Sequence, residues 1–290
     1  MPRSLVWATH IDVLPLDRVL ERRDGYLVVR SPSNPTHWWG NHLLFDAPPL
    51  TGDADRWESL FAREFADEPA VRHVTLAWDT LDGELGHAGE DFLARGYRLE
   101  QAVGLVARRE NVRPHPRENR EVAVRALDPT AGVDEDLWEQ VVELQVAGRD
   151  EHLSEATYRD YSCRRQAELR ALFALGRGAW YVALDSGGRE VAASCGLVVT
   201  GERGRYQHVE TRASRRRRGI CSRLVVEAAR HSARHHGATR FVIAADPDYH
   251  ALGLYESLGF ERCEQTAGVC REPAQTVFDS GAGLDRPTKI

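Results

Sequence analysis

Four consecutive arginines, Arg215 to Arg218, stand directly before Gly219 and form the strongest anion-binding signal of this chain. The preceding run from Arg205 to Thr211 (RYQHVET) is typical of a strand. The following segment has helical periodicity and ends before Gly237, and its apolar face consists of Ile220, Leu224, Val225 and Ala228. A strand that turns through a glycine into a helix presents unpaired N–H groups at the positive end of the helix dipole. This arrangement predicts a phosphate or pyrophosphate site.

A basic surface patch that serves nuclear localisation or nucleic-acid binding is the alternative interpretation of the arginine run. The chain has 38 Lys and Arg against 44 Asp and Glu, with a formal net charge of -6. Most nucleic-acid-binding domains instead carry a dominant basic face. The charge balance and the position before a helix favour the phosphate site.

Further elements must position this site, and they follow in order along the chain. The run from Arg240 to Asp246 (RFVIAAD) is apolar, as expected of a buried strand. Asp248 is predicted to be the N-cap of a short helix that ends at Gly259, and Phe260 begins the next strand. One face of that helix carries Ala251, Tyr255 and Leu258.

Two motifs resemble the GNAT superfamily of acyl-CoA-dependent N-acetyltransferases. The first is R-x-x-G-x-small at Arg216, Gly219 and Cys221, and the second is D-x-x-A-x-x-L-Y-x-x-L-G-F from Asp248 to Phe260. The resemblance covers residues 121 to 271. It implies an α/β (α+β) fold with a mixed, mostly antiparallel central sheet flanked by helices, in the order β-α-α-β-β-β-α-β-α-β-β.

The resemblance also implies a binding site for acetyl-CoA or another acyl-CoA as co-substrate, with no metal. Backbone N–H groups from Arg217 to Ser222 would hold the pyrophosphate, while Arg216 and Arg218 would either add charge or face water. The pantetheine arm would lie along Val209 to Thr211, where a backbone N–H would bind the thioester carbonyl. The implied coenzyme-binding residues are Val209, Thr211, Arg216, Arg217, Arg218, Gly219, Ile220, Cys221, Ser222 and Asp248.

Three residues are candidates for proton transfer. The resemblance makes Tyr255 the acid that protonates the departing thiolate, whereas the alternative is that Tyr255 only fills the inner helix face. Strand alternation predicts that Tyr206, His208 and Glu210 share one face. His208 or Glu210 could then accept the proton of the amine, although a buried histidine can instead be only hydrogen-bonded.

Cys221 departs from the family pattern, which has glycine or alanine at this position. A thiol at a helix N-terminus is expected to have a depressed pKa. The chain has five cysteines without CxxC pairs, so neither a disulfide framework nor a zinc site is predicted. His231 and His235 have a metal-compatible i, i+4 spacing, but a solvated helix face is favoured because the pattern lacks a carboxylate.

The front half resembles a diverged copy of the rear half. Gly89 to Arg109 is similar in pattern to Gly253 to Glu272, each being a short helix followed by two strand-like pieces. In the front copy, Asp46 to Asp53 (DAPPLTGD) has no arginine and two prolines without amide protons, and Phe92 stands where Tyr255 is expected. This half is therefore predicted to lack a coenzyme site. Trp38 and Trp39 either line an acceptor pocket or pack between the halves.

The predicted domains are residues 1–108, a linker at 109–120, the catalytic domain at 121–271 and a flexible tail at 272–290. No apolar stretch approaches the length of a membrane helix and no signal peptide is evident, so a cytoplasmic location is expected. The expected partner is a small-molecule or protein amine, with no nucleic acid or membrane, and the protein would be a monomer or homodimer. The predicted activity is N-acetyl transfer to a primary amine, and the alternative is a silent acyl-CoA-binding sensor or scaffold.

Overall fold

A computed structural model describes residues 1–150, 153–248 and 251–272. The α/β (α+β) fold of two tandem GNAT-like domains, each with a mixed, mostly antiparallel sheet flanked by helices, is confirmed, and the sheets of the two halves join into one continuous sheet. The strands are β1 Val19–Arg23, β2 Tyr26–Arg30, β3 His42–Phe45, β4 Val74–Trp78, β5 Arg98–Arg108, β6 Ala123–Ala126, β7 Gly178–Leu184, β8 Val191–Thr200, β9 Arg203–Thr211, β10 Arg240–Ala245 and β11 Glu261–Arg271. The helices are α1 Leu5–Asp12, α2 Asp53–Glu64, α3 Gly89–Ala94, α4 Glu135–Ala147, α5 Glu155–Ala174, α6 Ile220–His235 and α7 Leu252–Ser257. The predicted tail lies outside the described residues beyond Glu272.

The two halves of the chain repeat one succession of elements. The strand order in the sheet is β1-β2-β3-β4-β11-β5-β10-β9-β8-β7-β6. The neighbours β3 and β4 are parallel and so are β9 and β10, while the other neighbouring pairs are antiparallel. In each half a helix, α2 or α6, connects the parallel pair, and a short helix, α3 or α7, precedes the last strand.

The last strands of the two halves are exchanged. The strand β11 pairs with β4 of the front half, and β5 pairs with β10 of the rear half, while β5 and β11 pair with each other. The strand pair predicted at the end of the rear domain is therefore wrong, because Glu261–Arg271 is one strand with a bulge between Arg262 and Glu264. Each exchanged strand covers the sheet edge that a local hairpin would otherwise cover. The domain limits stay a prediction.

Two helical layers cover the sheet. On one face, α6 and α7 bury a cluster that includes Leu224, Phe241 and Tyr255, and α2 and α3 bury a cluster around Trp57 and Phe92. The opposite face carries α4 and α5, which pack Trp138 and Leu169 against Trp180 of β7. The turn Arg109–Asn111 at the start of the linker contacts α6. In the described ranges, no helix combines the length and apolarity needed to cross a bilayer.

Candidate active site

The N-terminus of α6 is open toward a cleft. Gly219 is its N-cap with φ 73°, and Arg217 also has a positive φ of 59°. Such a turn brings successive N–H groups to one side and forms an anion-binding concavity. The amide of Arg223 donates to the Gly219 carbonyl at 3.3 Å, whereas the amides of residues 219–222 have no hydrogen-bond partner among the described residues. The predicted helix start at Gly219 is confirmed, and these donors remain for a ligand.

The cleft lies between α6 and α7 and has a volume of about 550 Å³. It brings together nine of the ten predicted coenzyme-binding residues, which are Val209, Thr211, Arg216, Arg217, Arg218, Gly219, Ile220, Cys221 and Ser222. Asp248 does not line it. The N-cap prediction for Asp248 is wrong, because the chain turns at Asp246, whose carboxylate accepts from the Asp248 amide at 2.8 Å, and the N-cap of α7 is Ala251.

The four arginines divide into two pairs. Arg215 forms an ion pair with Glu190 at 2.9 Å, and Arg216 forms one with Glu210 at 3.1 Å. Arg217 and Arg218 are exposed and have no carboxylate partner among the residues that the structure describes. Of these four arginines, Arg217 and Arg218 therefore carry the positive charge that no carboxylate of the described residues offsets.

The linker forms a wall of the same cleft, which the sequence analysis missed. His115 and Arg117 line the cleft. The linker is held there by the amide of Asn119, which donates to the Gly219 carbonyl at 3.0 Å, and by the amide of Arg113, which donates to the Leu258 carbonyl at 3.0 Å. A Cβ at Gly219 would lie 2.1 Å from the Arg117 carbonyl oxygen, so this close approach requires glycine. The only signal in the sequence was the basic character of the linker.

A bulge in β9 opens a second cavity behind the cleft. His208 has φ 45°, and the register against β8 shifts between Ser194 and Gly196. The parallel pairing of β9 with β10 covers only Arg203–Arg205 and Arg240–Val242, after which the two strands diverge. The resulting cavity of about 470 Å³ is lined by Tyr206, His208, Glu210, Tyr255 and residues 243–245 of β10.

The prediction that Tyr206, His208 and Glu210 share one strand face is wrong, because the bulge interrupts the alternation. The Tyr206 hydroxyl donates to the Val225 carbonyl of α6 at 2.7 Å. The His208 ring lies on the opposite layer, 6.4 Å from the ring of Trp180. Glu210 lies against Gly148 at the end of α4. His208 and Glu210 nevertheless line one cavity because it lies at the point where the strands diverge.

The two candidate bases differ in electrostatics. Burial, together with the positive charge of Arg165, lowers the pKa of His208 to about 4. His208 is therefore neutral near pH 7. Burial raises the pKa of Glu210, and the ion pair with Arg216 acts in the opposite direction. A carboxylate with a raised pKa is a stronger base than an ordinary one.

Tyr255 lies between the two spaces. Its side chain is 4% exposed and lines both the coenzyme cleft and the cavity between β9 and β10. From the sequence, Tyr255 was a candidate proton donor. The structure places its side chain where the coenzyme cleft meets the cavity between β9 and β10. Its counterpart at the same point of the front half is Phe92, which is fully buried in the core beneath α2.

The prediction of a depressed pKa for the Cys221 thiol is wrong. Burial raises its pKa to about 12, against the smaller effect of a hydrogen bond with Thr211. The side chain packs against the core below α6, so loss of hydration outweighs the helix dipole.

The histidines of α6 form a local cluster. The rings of His231 and His235 lie 4.2 Å apart, and His231 Nδ1 is 3.0 Å from the Tyr181 hydroxyl. Within the described part of the chain, no group of three or more His, Cys, Asp or Glu residues is arranged to hold a metal ion.

Comparison with known proteins agrees with this geometry. The sequence profile of the acetyltransferase (GNAT) family matches residues 138–260. No curated protein sequence matches the chain significantly.

Several solved structures share the fold. A functionally unknown conserved protein from Staphylococcus epidermidis has a TM-score of 0.72 at 11% identity, over 89% of this chain and 95% of that chain. A GCN5-related N-acetyltransferase from Kribbella flavida has a TM-score of 0.59 at 14% identity, over 89% and 91%. A tandem GNAT protein from the clavulanic acid biosynthesis pathway has a TM-score of 0.53 at 15% identity, over 90% and 85%.

The family match and the shared fold coincide with the region that contains the open N-terminus of α6, the bulged strand β9 and Tyr255. Acyl-CoA-dependent acyl transfer is the general activity of this family, and acetyl-CoA is its co-substrate. The chain therefore carries an acetyltransferase domain of the GNAT family at residues 138–260, within a two-domain GNAT fold.

Proposed function

We propose that this protein is an N-acetyltransferase that moves an acetyl group from acetyl-CoA to a primary amine by direct attack within a ternary complex. The observation that carries the proposal is the position of Tyr255, which lines both the anion-binding cleft and the cavity between β9 and β10. A donor in the first space and an acceptor in the second would meet at this residue.

The cleft fits the diphosphate of coenzyme A. The open amides of residues 219–222, the positive φ of Gly219 and the cations Arg217 and Arg218 supply donors and charge to one anion. Arg117 adds a cation from the linker. Acetyl-CoA would supply the activated thioester carbonyl.

In this proposal, Glu210 accepts the proton of the attacking amine. Its raised pKa makes it a better base than an ordinary carboxylate, whereas His208 with a pKa of about 4 is a weak one. A nitrogen–carbon bond forms and the carbon–sulfur bond breaks. The Tyr255 hydroxyl gives its proton to the departing sulfur, and backbone N–H groups near Val209 stabilise the oxyanion.

The alternative is a sensor that binds acyl-CoA without turnover. The side chains that line the cavity favour the enzyme, because a base and a proton donor are unnecessary for binding alone. The acceptor would be a small-molecule or protein amine, and the protein would be a cytoplasmic monomer or homodimer.

Release of free coenzyme A from acetyl-CoA, measured with a thiol reagent across an amine panel, tests the proposal. Mass spectrometry of the acetylated amine confirms the product, and calorimetry with coenzyme A measures binding separately. We expect release that depends on the amine. Tight binding without release across a broad panel would support the sensor, and absence of binding would reject both.

A further inference from the structure

A cavity of about 240 Å³ lies where the two halves of the chain meet, and we call it the junction cavity. The front half lines it from α1, from β5 and from the turn that contains Trp39, and the rear half lines it from α5, β9, β10 and β11. Most of its lining residues are half-buried, as expected of a cavity that is not sealed. Its volume is many times what a single water needs, so it has room for a small organic molecule.

A buried cation without an ion pair lines the junction cavity. Arg205 is 8% exposed, and its guanidinium makes one hydrogen bond within the described ranges, from Nη1 to Thr9 Oγ1 at 3.2 Å. A guanidinium has five N–H donors, and the Nε of Arg205 has no partner among the residues that the structure describes. Burial lowers the pKa of Arg205 to about 10, so this side chain remains charged near pH 7.

The carboxylates closest to Arg205 are engaged elsewhere. Glu264 attracts Arg205 electrostatically, but it accepts hydrogen bonds from the Ser4 hydroxyl and from the first two amides of α1. Glu100, which also lines the junction cavity, pairs with Arg98 at 3.3 Å, and burial raises its pKa. A buried charge without a direct partner is costly, and an anion in the cavity would compensate it.

The other ionisable groups of the cavity wall add to the positive potential or are neutral. Arg165 is 2% exposed and pairs with Glu168 at 3.0 Å. Burial lowers the pKa of His10 to about 4, and the positive charges of Arg205 and Arg165 act in the same direction. Burial and Arg165 likewise hold the pKa of His37 well below its usual value. The wall therefore favours an anion and disfavours a cation.

The remaining wall of the junction cavity is largely apolar. It includes Val6, Trp7, Trp39 and Ala102, and the rings of the two tryptophans lie 5.6 Å apart. An inorganic anion would leave this apolar surface without a partner. The planar fork of a guanidinium matches a carboxylate, and the apolar wall matches a short hydrocarbon chain.

We propose that the junction cavity binds a small monocarboxylic acid, with its carboxylate at Arg205 and its hydrocarbon part against Trp7 and Trp39. The proposal does not depend on acetyl transfer, since none of the residues that line the junction cavity lines the coenzyme cleft. The acid would contact both halves of the chain at once, so its binding would stabilise the junction between them.

Three compounds separate the charge from the hydrocarbon part. Propionate carries both, propionamide has the same shape without the charge, and chloride has the charge alone. Calorimetry and thermal unfolding measure their binding at constant ionic strength in a buffer without carboxylates. Propionate should bind saturably and raise the Tm. Propionamide should bind at least about tenfold more weakly, as should chloride. Absence of saturable propionate binding, or equal affinity for all three compounds, would overturn the proposal.

Two variants locate the binding site. Arg205→Gln should weaken propionate binding at least about tenfold. Arg203→Gln is the matched control and should bind normally, because Arg203 lies on the same strand, pairs with Asp12 at 2.8 Å and does not line the cavity. Ala102→Leu keeps the cation and narrows the cavity, so it should also weaken binding and covers the case in which Arg205→Gln does not fold. Unchanged propionate affinity in either cavity variant would overturn the proposal.

The His10 ring gives a readout that a merely structural role of Arg205 would not move. Because positive charge helps to lower the pKa of His10, a bound carboxylate should raise that pKa, which NMR titration of the ring measures. Arg205→Gln should raise it without propionate, and propionate should then have no further effect. Saturable propionate binding that leaves the pKa of His10 unchanged in the unmodified protein would place the acid elsewhere and reject the assignment.

Discussion

The two halves of this molecule place a helix N-terminus at the same point of the same local fold, and only one of these termini is open. The helices α2 and α6 each connect a parallel strand pair, and each begins after a glycine with positive φ, 85° at Gly52 and 73° at Gly219. The two halves therefore share the same backbone connection from strand through glycine to helix. The difference between the two sites lies in the side chains.

The front terminus is closed by groups of its own chain. The Asp53 carboxylate accepts a hydrogen bond from the Leu50 amide at 2.8 Å, and Asp55 adds a second acid to the first turn of α2. A Cβ at Gly86 would lie 2.3 Å from the Pro49 carbonyl oxygen, so another loop packs directly on this turn. The first turn of α6 has no acidic residue. The dipole of either helix favours negative charge at its N-terminus, and in the front half the carboxylates of Asp53 and Asp55 already place such charge in the first turn.

The two short helices differ in the same way. Phe92 of α3 is packed with Trp57, whose ring stacks on Phe45 at 3.6 Å. Tyr255 of α7 occupies the equivalent point beside an open cleft. Aromatic side chains thus fill, in the front half, the region that is an open cleft in the rear half. Substitutions that give one half the residue of the other test whether these differences determine activity.

The largest effect is expected from Tyr255→Phe, which gives the rear half the residue of the front half. Loss of the proton donor should lower kcat about 100- to 10,000-fold, the usual contribution of a positioned acid. The affinity for coenzyme A should stay within about twofold, because the ring and its packing are kept. Steady-state thiol release and calorimetry measure the two quantities. An unchanged kcat would assign Tyr255 a packing role only.

The next largest effect is expected when the acidic character of α2 is transferred to α6 by Cys221→Asp. A carboxylate in the first turn should repel the diphosphate and weaken binding of coenzyme A about 100-fold. Cys221→Ala is the matched control and should bind normally, since alanine is small and neutral. Calorimetry measures the affinity of both variants for coenzyme A. Equal affinities would show that the diphosphate does not bind at the N-terminus of α6.

A smaller effect is expected from the linker. Arg117→Glu reverses a charge in the wall of the cleft and should weaken coenzyme A binding about tenfold, with a loss that shrinks at high salt. Arg120→Glu is the control, because Arg120 is highly exposed and does not line the cleft. If the two variants lose the same affinity, the linker acts through long-range charge rather than as a wall.

Local signals in the sequence predicted much of the rear site. The turn through Gly219 and the apolar face of α6 depend on neighbouring residues, so periodicity and a single glycine were sufficient to predict them. The position of Tyr255 followed from the motif that contains it.

Features that depend on contacts distant in sequence could not be predicted. The exchange of β5 and β11 joins residues more than 150 positions apart, and nothing in either segment indicates its partner. The bulge at His208 depends on the register against β8 and reversed a prediction based on simple alternation. The linker contact at Gly219 depends on shape, since no apolar pattern in the linker indicates that it is anchored.

The smallest predicted effect concerns the strands before the two helices. Residues 43–45 of β3 are apolar and buried, whereas β9 carries Glu210 paired with Arg216 at 3.1 Å. Glu210 is the proposed base only in its ionised form, so kcat/KM should fall as the pH drops through its pKa. Arg216 lowers that pKa, so Arg216→Gln should raise it further and move the acid limb of the pH–rate profile to higher pH.

The control for this shift is Arg212→Gln, because Arg212 pairs with Glu190 at 3.3 Å and lies outside the cavity that contains Glu210. The acid limb of the pH–rate profile of Arg212→Gln should lie at the same pH as that of the unchanged protein. If His208 were the base instead, the limb would lie near pH 4, where burial places the pKa of that ring, and removal of Arg216 would leave it unmoved. A shift in Arg216→Gln but not in Arg212→Gln therefore identifies Glu210 as the proton acceptor, since its carboxylate is the one that pairs with Arg216 among the described residues.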